Sequence, residues 1–294
     1  MVALVAAADR GDDVELNGKS APVVATTLAA PGGDAADRQI WLDDAGQPVA
    51  FARIRVHDVA GVVHGRFHYV LAPVADLALE RDIIAWAETR VAAGARGSAA
   101  ATLVHPVGPR DPTRGDRLIA LGFHVHRVRM RMVRATTPPY DALMPAGYTL
   151  RPSHGPVEAP AYLEAFNTSF LDTNDYTPFS LDELLHDLHD PGYRADRDLV
   201  LEDAAGAIVG FSYISTDPAT PDHAHLGAIG VLRAHRRQGL AAAVLADTLR
   251  RLAADGVATV DLFVDSDSPT GAPRLYQRAG FTVAHIETRY ARPV

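Results

Sequence analysis

The sequence predicts an α/β fold of the α+β type, made of two tandem modules that each combine a mixed sheet with flanking helices. Two observations indicate this fold. The same order of strands and helices recurs on either side of a break near residues 135–146, and RLIALGF before the break parallels RLYQRAGF after it. In each half a strand, a long helix and another strand follow one another, and this crossover places the two strands parallel.

The bulk composition limits the functions that this chain can have. Its 294 residues, 48% hydrophobic and 22% charged, are typical of a globular protein of one large or two ordinary domains. A formal net charge of −8 disfavours a nucleic-acid partner. Without cysteine there is no disulfide, thiol nucleophile or cysteine zinc site, and we expect no metal. No stretch has the pattern of a secretory leader or a membrane span, so we expect a cytoplasmic monomer or homodimer with no membrane partner.

The elements of the first half follow from alternating and apolar runs. IWL and VAFARIRV flank DDAGQP and predict a hairpin. HGRFHYVL predicts the next strand, residues 76–93 a helix, and AAATLV another strand. After RLIALGF, the run HVHRVRMRMV predicts the last strand of a domain over residues 1–134.

Residues 135–146 contain paired prolines and no periodicity, and they predict a linker to a second domain over 147–294. Ser180 and Glu183 have the spacing of a capping box at a helix start. DAAG between two apolar runs predicts a hairpin. In chain order we expect a strand at 147–152, helices at 157–170 and 181–189, strands at 198–203, 207–215 and 224–232, a helix at 238–254, a strand at 257–264, a helix at 271–279 and one or two strands at 281–290.

The helix expected over 238–254 begins at a glycine, although Ser, Thr, Asp or Asn usually occupies this position. An uncapped helix start leaves backbone N–H groups and partial positive charge available to an anion, and glycine lets the backbone approach closely. In RRQGLA, the amides of 237–241 would face a diphosphate, and Arg236 and Arg237 would add charge. The alternative is a helix that simply starts on glycine after a turn.

The order of strand, R-x-x-G-x-A, long helix, strand, short helix and LYxxxGF resembles the GCN5-related N-acetyltransferase (GNAT) family from about Gly147 to Tyr290. The resemblance implies twisted, mostly antiparallel sheets with one splayed parallel pair. It also implies acetyl-CoA as cosubstrate, bound in the slot between strands 224–232 and 257–264, and direct attack by an amine. The implied cofactor contacts are the backbone of Ile229 and Val231 and the loop residues Arg236, Arg237, Gln238, Gly239, Leu240 and Ala241.

By the same resemblance, Tyr276 matches the tyrosine that protonates the departing CoA thiolate. The alternative is a tyrosine that only packs on the face of a short helix. Many family members carry an asparagine seven residues earlier, where this chain has Pro269, so that contact is absent or replaced. Pro273 is tolerated only in the first helical turn, which makes Thr270 the expected N-cap.

His225 occupies the position where tandem members of the mycothiol synthase type carry a glutamate base. A histidine titrates near neutral pH and suits proton abstraction, although a half-exposed strand-edge histidine is the alternative. His223, Glu287, the acids of residues 172–190 and deprotonation by solvent remain open as other routes.

The acceptor region is acidic, with eight Asp or Glu and no Lys or Arg between Arg151 and Arg194. This pattern indicates either a pocket for a small cationic amine, with Asp172, Asp175 and Tyr176 as candidates, or solvated helix faces. The tandem layout resembles mycothiol synthase and suggests a cysteinyl sugar conjugate as an alternative acceptor, although its glutamate is not matched. A hypothesis of another class is a non-catalytic, acyl-CoA-binding regulatory module.

The first half lacks the anion-binding loop. Where that loop should be, the sequence reads VLAPVADLALERD, and no glycine occurs from Arg66 to Ala93. Asp76 and Glu80 would repel a diphosphate, and Leu118 replaces the tyrosine. We therefore expect a degenerate module that pairs its sheet with the catalytic half or packs against it, and shapes the acceptor cleft.

Overall fold

A computed structural model describes residues 37–59, 61–72, 77–95, 100–109, 113–173, 176, 178–189 and 193–294. These residues form eleven strands and six α-helices. The chain divides into two compact units. Unit 1 comprises Met1–Arg129 with His285–Val294, and unit 2 comprises Met130–Ala284. None of the described helices is long and apolar enough to cross a membrane.

Unit 1 contains an antiparallel hairpin followed by a parallel crossover. Its elements are β1 (Arg38–Leu42), β2 (Pro48–Val59), β3 (Val62–Leu71), α1 (Leu77–Gly94), β4 (Ala100–Val107), α2 (Arg114–Ala120) and most of β11 (Thr282–Pro293). The strand order is β1-β2-β3-β4-β11, and only β3 and β4 pair in parallel. The apolar face of α1 packs on the sheet through Ile83, Ala87 and Val91. The predicted hairpin and crossover are confirmed.

Unit 2 repeats this arrangement with two additional helices. Its elements are β5 (His124–Ala135, from Met130 onward), β6 (Tyr148–Pro152), α3 (Ala159–Phe170), α4 (Leu181–Leu188), β7 (Leu199–Asp203), β8 (Ile208–Thr216), β9 (His223–Val231), α5 (Leu240–Ala254), β10 (Thr259–Asp265) and α6 (Ala272–Arg278). The strand order is β5-β10-β9-β8-β7-β6. Strands β6 to β9 pair antiparallel and β9 pairs with β10 in parallel, which confirms the predicted fold class.

The predicted capping box is confirmed at the start of α4. Ser180 Oγ accepts a hydrogen bond from Glu183 N at 3.2 Å, and Ser180 N donates to Glu183 Oε2 at 2.9 Å. Because both partners belong to the first turn of the helix, this helix start could be recognised from spacing alone.

A β-bulge at Gly227 in β9 shifts the alternation of side chains between the two faces of the unit 2 sheet. Tyr213 pairs with Ala228 and Ile214 with Leu226, which leaves Gly227 as the extra residue. Before the bulge, Leu226 packs in the core that contains α5 residues. After it, Ala228 packs with the α3 and α4 side chains on the other face. Gly227 has no room for a Cβ, which would lie 2.8 Å from Tyr213 Cδ1.

The two halves of the chain exchange their last strands. β5 ends the first half but contributes Met130 onward to unit 2, whereas His285–Val294 joins unit 1. This division differs from the expected boundary at residue 134. The expected linker, 135–146, belongs to unit 2, where Thr136 N donates to Ala258 O at 2.9 Å and Thr136 Oγ1 to Val257 O at 2.7 Å. Hydrophobic periodicity identifies a strand but not its neighbour, so the exchange could not be predicted.

Candidate active site

Helix α5 begins without a polar cap. Its N-cap, Gly239, has φ +83° and makes no side-chain capping bond, and Arg237 adopts φ +64°. Among the described residues, the first amide after Arg236 to find an acceptor is that of Ala243, which donates to Gly239 O at 3.1 Å. The amides of residues 237–242 therefore have no acceptor in the described part of the chain, and they lie at the partial positive charge of the helix start.

The space over Gly239 is open, since a Cβ built there meets no atom within 4 Å. Glycine is favoured by the left-handed backbone and by the close approach that an anion would make, not by crowding within the chain. Arg237, Gln238 and Gly239 are exposed, whereas the Leu240 side chain is buried in the core beneath. This arrangement agrees with the geometry expected of a diphosphate cradle.

The structure gives Arg236 a different role from the expected one. Its Nε donates to Val231 O at 2.9 Å, its Nη2 donates to Ser169 O at 2.7 Å, and its guanidinium pairs with Asp172. Its backbone N–H already donates to Arg233 O at 3.3 Å. The Arg236 side chain thus braces the loop against the end of α3 and does not point at the anion site.

Gln238 and Arg237, the other two polar residues of the loop, differ in their contacts. Gln238 is held at the loop base, where its Nε2 donates to His235 O at 3.3 Å and its Oε1 accepts from Tyr148 Oη at 3.4 Å. Arg237 makes no ion pair or hydrogen bond with any part of the chain that the structure describes. The Arg237 guanidinium is therefore exposed and not engaged by the described residues.

Strands β9 and β10 separate beyond a short ladder. Their pairing covers His223 to His225 of β9 and ends at the His225–Asp261 pair. Leu232 N donates to Val209 O at 2.8 Å, which makes Gly210–Val231 a non-hydrogen-bonded pair of the antiparallel ladder. Ile229 lies two residues before Val231 in the same strand, so it also belongs to a non-hydrogen-bonded pair and its backbone groups point the same way. The backbone groups of Ile229 and Val231 consequently point away from β8, on the side of β10, and Val231 O accepts the hydrogen bond from Arg236 Nε.

Tyr276 lies in α6 and is buried, at 8% exposure. Its ring packs edge-on against Phe281, with 5.7 Å between centroids, and shares a core cluster with Ile229. Burial raises the pKa of its phenol to about 12. No described residue takes a hydrogen bond from its hydroxyl, so the phenol keeps its proton and has no partner among the described residues. The helix is preceded by Gly271 at φ +73°, not by Thr270, as its N-cap.

His225 belongs to a hydrogen-bonded cluster centred on Asp261. Its Nδ1 is 2.8 Å from Asp261 Oδ1, and the Nε2 of His223 is 3.3 Å from the same oxygen. Arg131 pairs with Asp261 Oδ2, and Thr259 Oγ1 lies 2.9 Å from His223 Nδ1. The sequence predicted His225 but missed Asp261. The sequence signal for Asp261 was its position: it lies two residues after Thr259, in a strand that runs parallel to His223–His225.

The expected acceptor residues are occupied by structural contacts. Asp172 is paired with Arg236, and this pairing lowers the pKa of its carboxyl. Tyr176 donates to Asn167 Oδ1 at 2.5 Å, and its ring stacks on Phe170 at 5.5 Å. Burial raises the pKa of Tyr176 to about 12. Asp175 lies outside the described residues. These contacts favour the second interpretation, in which the acids are mostly structural or solvated.

Glu287, one of the alternative bases, is not part of unit 2. It lies in unit 1, at 1% exposure, with Oε1 3.4 Å from Arg129 Nη1 and 3.3 Å from Arg289 Nε. Glu287 is therefore engaged in buried ion pairs within unit 1.

Packed aromatic rings occupy the place in unit 1 where the β3–β4 ladder ends. The ladder stops at Arg66–Val104, and His105 then contacts Phe67 and Tyr69, with ring centroids 4.8 and 4.4 Å apart. All three rings are at most 1% exposed. These rings close the space beside the end of the β3–β4 ladder.

Comparison with known proteins agrees with this geometry. Residues 160–281 match the acetyltransferase (GNAT) family. A mycothiol acetyltransferase of Frankia casuarinae is 32% identical over 174 residues, which cover 55% of this chain and 50% of that protein. The chain therefore spans about half the length of that relative.

Two solved structures share the fold. A GCN5-related N-acetyltransferase from Sphaerobacter thermophilus has a TM-score of 0.71 at 23% identity, covering 99% of this chain and 90% of that one. A tandem GNAT protein from the clavulanic acid biosynthesis pathway has a TM-score of 0.67 at 17% identity, covering 99% and 95%. The uncapped start of α5 and the splayed β9–β10 pair both lie within residues 160–281, the part of the chain that matches the GNAT acetyltransferase family.

Proposed function

We propose that this protein transfers an acetyl group from acetyl-CoA to the primary amine of a small molecule. The observation that carries this proposal is the uncapped start of α5, where free amides and a left-handed glycine lie beside the opening between β9 and β10. The amides of 237–242 would bind the diphosphate, and the backbone of Ile229 and Val231 would bind the pantetheine arm.

The chemistry follows from two side chains. Nε2 of His225 takes a proton from the acceptor ammonium, directly or through water, and the free amine attacks the thioester carbonyl. When the tetrahedral intermediate collapses, the C–S bond breaks and the Tyr276 hydroxyl protonates the thiolate; the phenolate that results takes the extra proton from the amide nitrogen. Because Tyr276 keeps its proton to a pKa of about 12, it is a donor throughout the working pH range. The products are an amide and CoA, and no covalent enzyme intermediate is needed.

Two classes of acceptor amine are candidates. The first candidate is a small molecule with a primary amine. Because Asp172 is already paired with Arg236, the argument for a strongly cationic acceptor is weaker. The similarity to a mycothiol acetyltransferase favours a cysteinyl sugar conjugate as the second candidate.

A thiol-release assay with acetyl-CoA tests the proposal directly. The amine panel should contain polyamines, aminoglycosides and a cysteinyl glucosamine-inositol conjugate. Acceleration by at least one amine, with the acetylated product identified by mass spectrometry, is expected. Saturable binding of acetyl-CoA without transfer to any amine would instead establish a binding module.

A further inference from the structure

Asp261 accepts hydrogen bonds from side chains on both neighbouring strands. Its neighbours Val260 and Leu262 face the core that contains α5 residues, so strand alternation places Asp261 on the opposite face. There Oδ1 lies 2.8 Å from His225 Nδ1 and 3.3 Å from His223 Nε2, while Oδ2 accepts from Arg131 Nε. Asp261 itself is 3% exposed, so this arrangement is held within the packed sheet.

The hydrogen-bonding capacities of these groups fix where the protons lie. An ionised carboxylate only accepts, so His225 Nδ1 and His223 Nε2 must both carry hydrogens. The Thr259 hydroxyl then donates to His223 Nδ1, 2.9 Å away. A neutral imidazole has one N–H and one lone pair, so the lone pair of His225 is on Nε2. His225 is therefore oriented with an unoccupied proton acceptor.

We propose that Asp261 is a positioning residue: it holds His225 in the Nδ1–H tautomer so that Nε2 can take the proton of the acceptor amine. The effect of this tautomer on catalysis rests on the proposed function, whereas the tautomer itself does not. His223 shares Asp261 Oδ1 but has both ring nitrogens engaged, so it supports the carboxylate and is not a second base.

The charges around Asp261 keep it in the form that this role needs. Burial would raise the pKa of its carboxyl, but hydrogen bonds from His223 and His225 and the charge of Arg131 outweigh burial and hold the pKa below its usual range. The charged or titratable groups facing it are thus His223 and His225 on β9 and Arg131 on β5. When His225 accepts a proton, the imidazolium lies beside a permanent anion.

Nitrogen-15 NMR of the full-length, histidine-labelled protein tests the tautomer without requiring activity. The His225 signals are assigned by their loss in His225→Gln. At a pH where His225 is neutral, we expect Nδ1 to be protonated and Nε2 to show the shift of a lone-pair nitrogen. A neutral His225 with a protonated Nε2 in the wild-type protein would overturn the proposal, whether or not the Asp261 variants fold.

Asp261→Asn is nearly isosteric but can donate to His225 Nδ1, so it should shift His225 towards the Nε2–H tautomer. The matched control is His223→Gln, which removes the other histidine at the same oxygen and should leave the His225 tautomer unchanged. An unchanged tautomer in folded Asp261→Asn would contradict the assignment.

The kinetic test separates positioning from a purely structural role. In Asp261→Asn we expect kcat to fall about tenfold or more, since a general base contributes roughly 100-fold or more. The acidic limb of the kcat profile should move to lower pH because the imidazolium loses its anionic neighbour, while the Kd for acetyl-CoA stays unchanged. Asp261→Glu, which keeps the charge, should restore the position of that limb. Equal loss of kcat at all pH values would mean that Asp261 only supports the fold. If the wild-type enzyme acetylates no amine, the proposed function fails, and the NMR experiment still decides the tautomer.

Discussion

Arg236 and Asp172 form an ion pair that ties the start of the R-x-x-G-x-A loop to the end of α3. The same guanidinium donates to the carbonyls of Val231 and Ser169 at 2.9 and 2.7 Å. The residue that charge alone suggested as a phosphate ligand is therefore a brace between two parts of unit 2. This brace holds the loop whose amides we propose as the diphosphate-binding site.

Arg236→Met should lower stability more than it lowers cofactor affinity. Losing hydrogen bonds from a charged donor to two carbonyls and a carboxylate should reduce the free energy of unfolding by on the order of 1–3 kcal/mol. The Kd for acetyl-CoA should rise only a few-fold, as measured by calorimetry. Asp172→Asn keeps both carbonyl bonds and should reduce stability by less than about 1 kcal/mol. A large loss of affinity in Arg236→Met with unchanged stability would restore the phosphate-ligand interpretation.

Gly239→Ala should weaken acetyl-CoA binding by about tenfold or more, because a Cβ would occupy the space through which the diphosphate approaches. The left-handed backbone adds roughly 1–2 kcal/mol of strain. Gly206→Ala is the matched control: Gly206 has φ +80°, compared with +83° at Gly239, and a Cβ meets no atom within 4 Å at either position. Both variants should lose similar stability in urea, but only Gly239→Ala should lose affinity. Equal affinities in the two variants would show that Gly239 serves only the turn.

Tyr276→Phe should lower kcat by about 100-fold while leaving the melting temperature and acetyl-CoA affinity nearly unchanged. The phenylalanine ring keeps the packing against Phe281, and the lost hydroxyl bonds to no described residue. With a pKa of about 12, the phenol should not produce a basic limb in the wild-type kcat profile up to about pH 10. Full activity of Tyr276→Phe would exclude its role as the acid.

Asp198→Asn should stabilise unit 2 increasingly as pH rises. Asp198 is fully buried, and this burial raises the pKa of its carboxyl well above the ordinary value, while Oδ1 accepts from Ile214 N at 2.6 Å. The folded protein thus holds a proton that the unfolded chain releases above about pH 4, so wild-type stability falls with pH by up to about 1.4 kcal/mol per pH unit. Asparagine keeps the acceptor and does not titrate. Urea unfolding from about pH 5 to pH 8 should give diverging curves for the two proteins, and parallel curves would refute the argument.

The sequence predicted features that depend on neighbours along the chain. The capping box at Ser180 and the open start of α5 at Gly239 are both encoded within a few residues, so spacing sufficed. It did not predict that Asp261 would face His225, because that contact depends on the register of two parallel strands. The direction of the Arg236 side chain depends on carbonyls of α3 and β9, which the loop sequence does not specify. Local chemistry was therefore predictable, whereas partners brought together by pairing were not.

The exchange of final strands makes the second half of the gene insufficient to encode the proposed site. Arg131, the cation beside Asp261, is translated before the apparent catalytic half begins at residue 147. A truncation at residue 147 would remove Arg131 together with β5, the neighbour of β10, and would leave residues 285–294 without their partner β4. The proposed site therefore depends on residues encoded on both sides of residue 147.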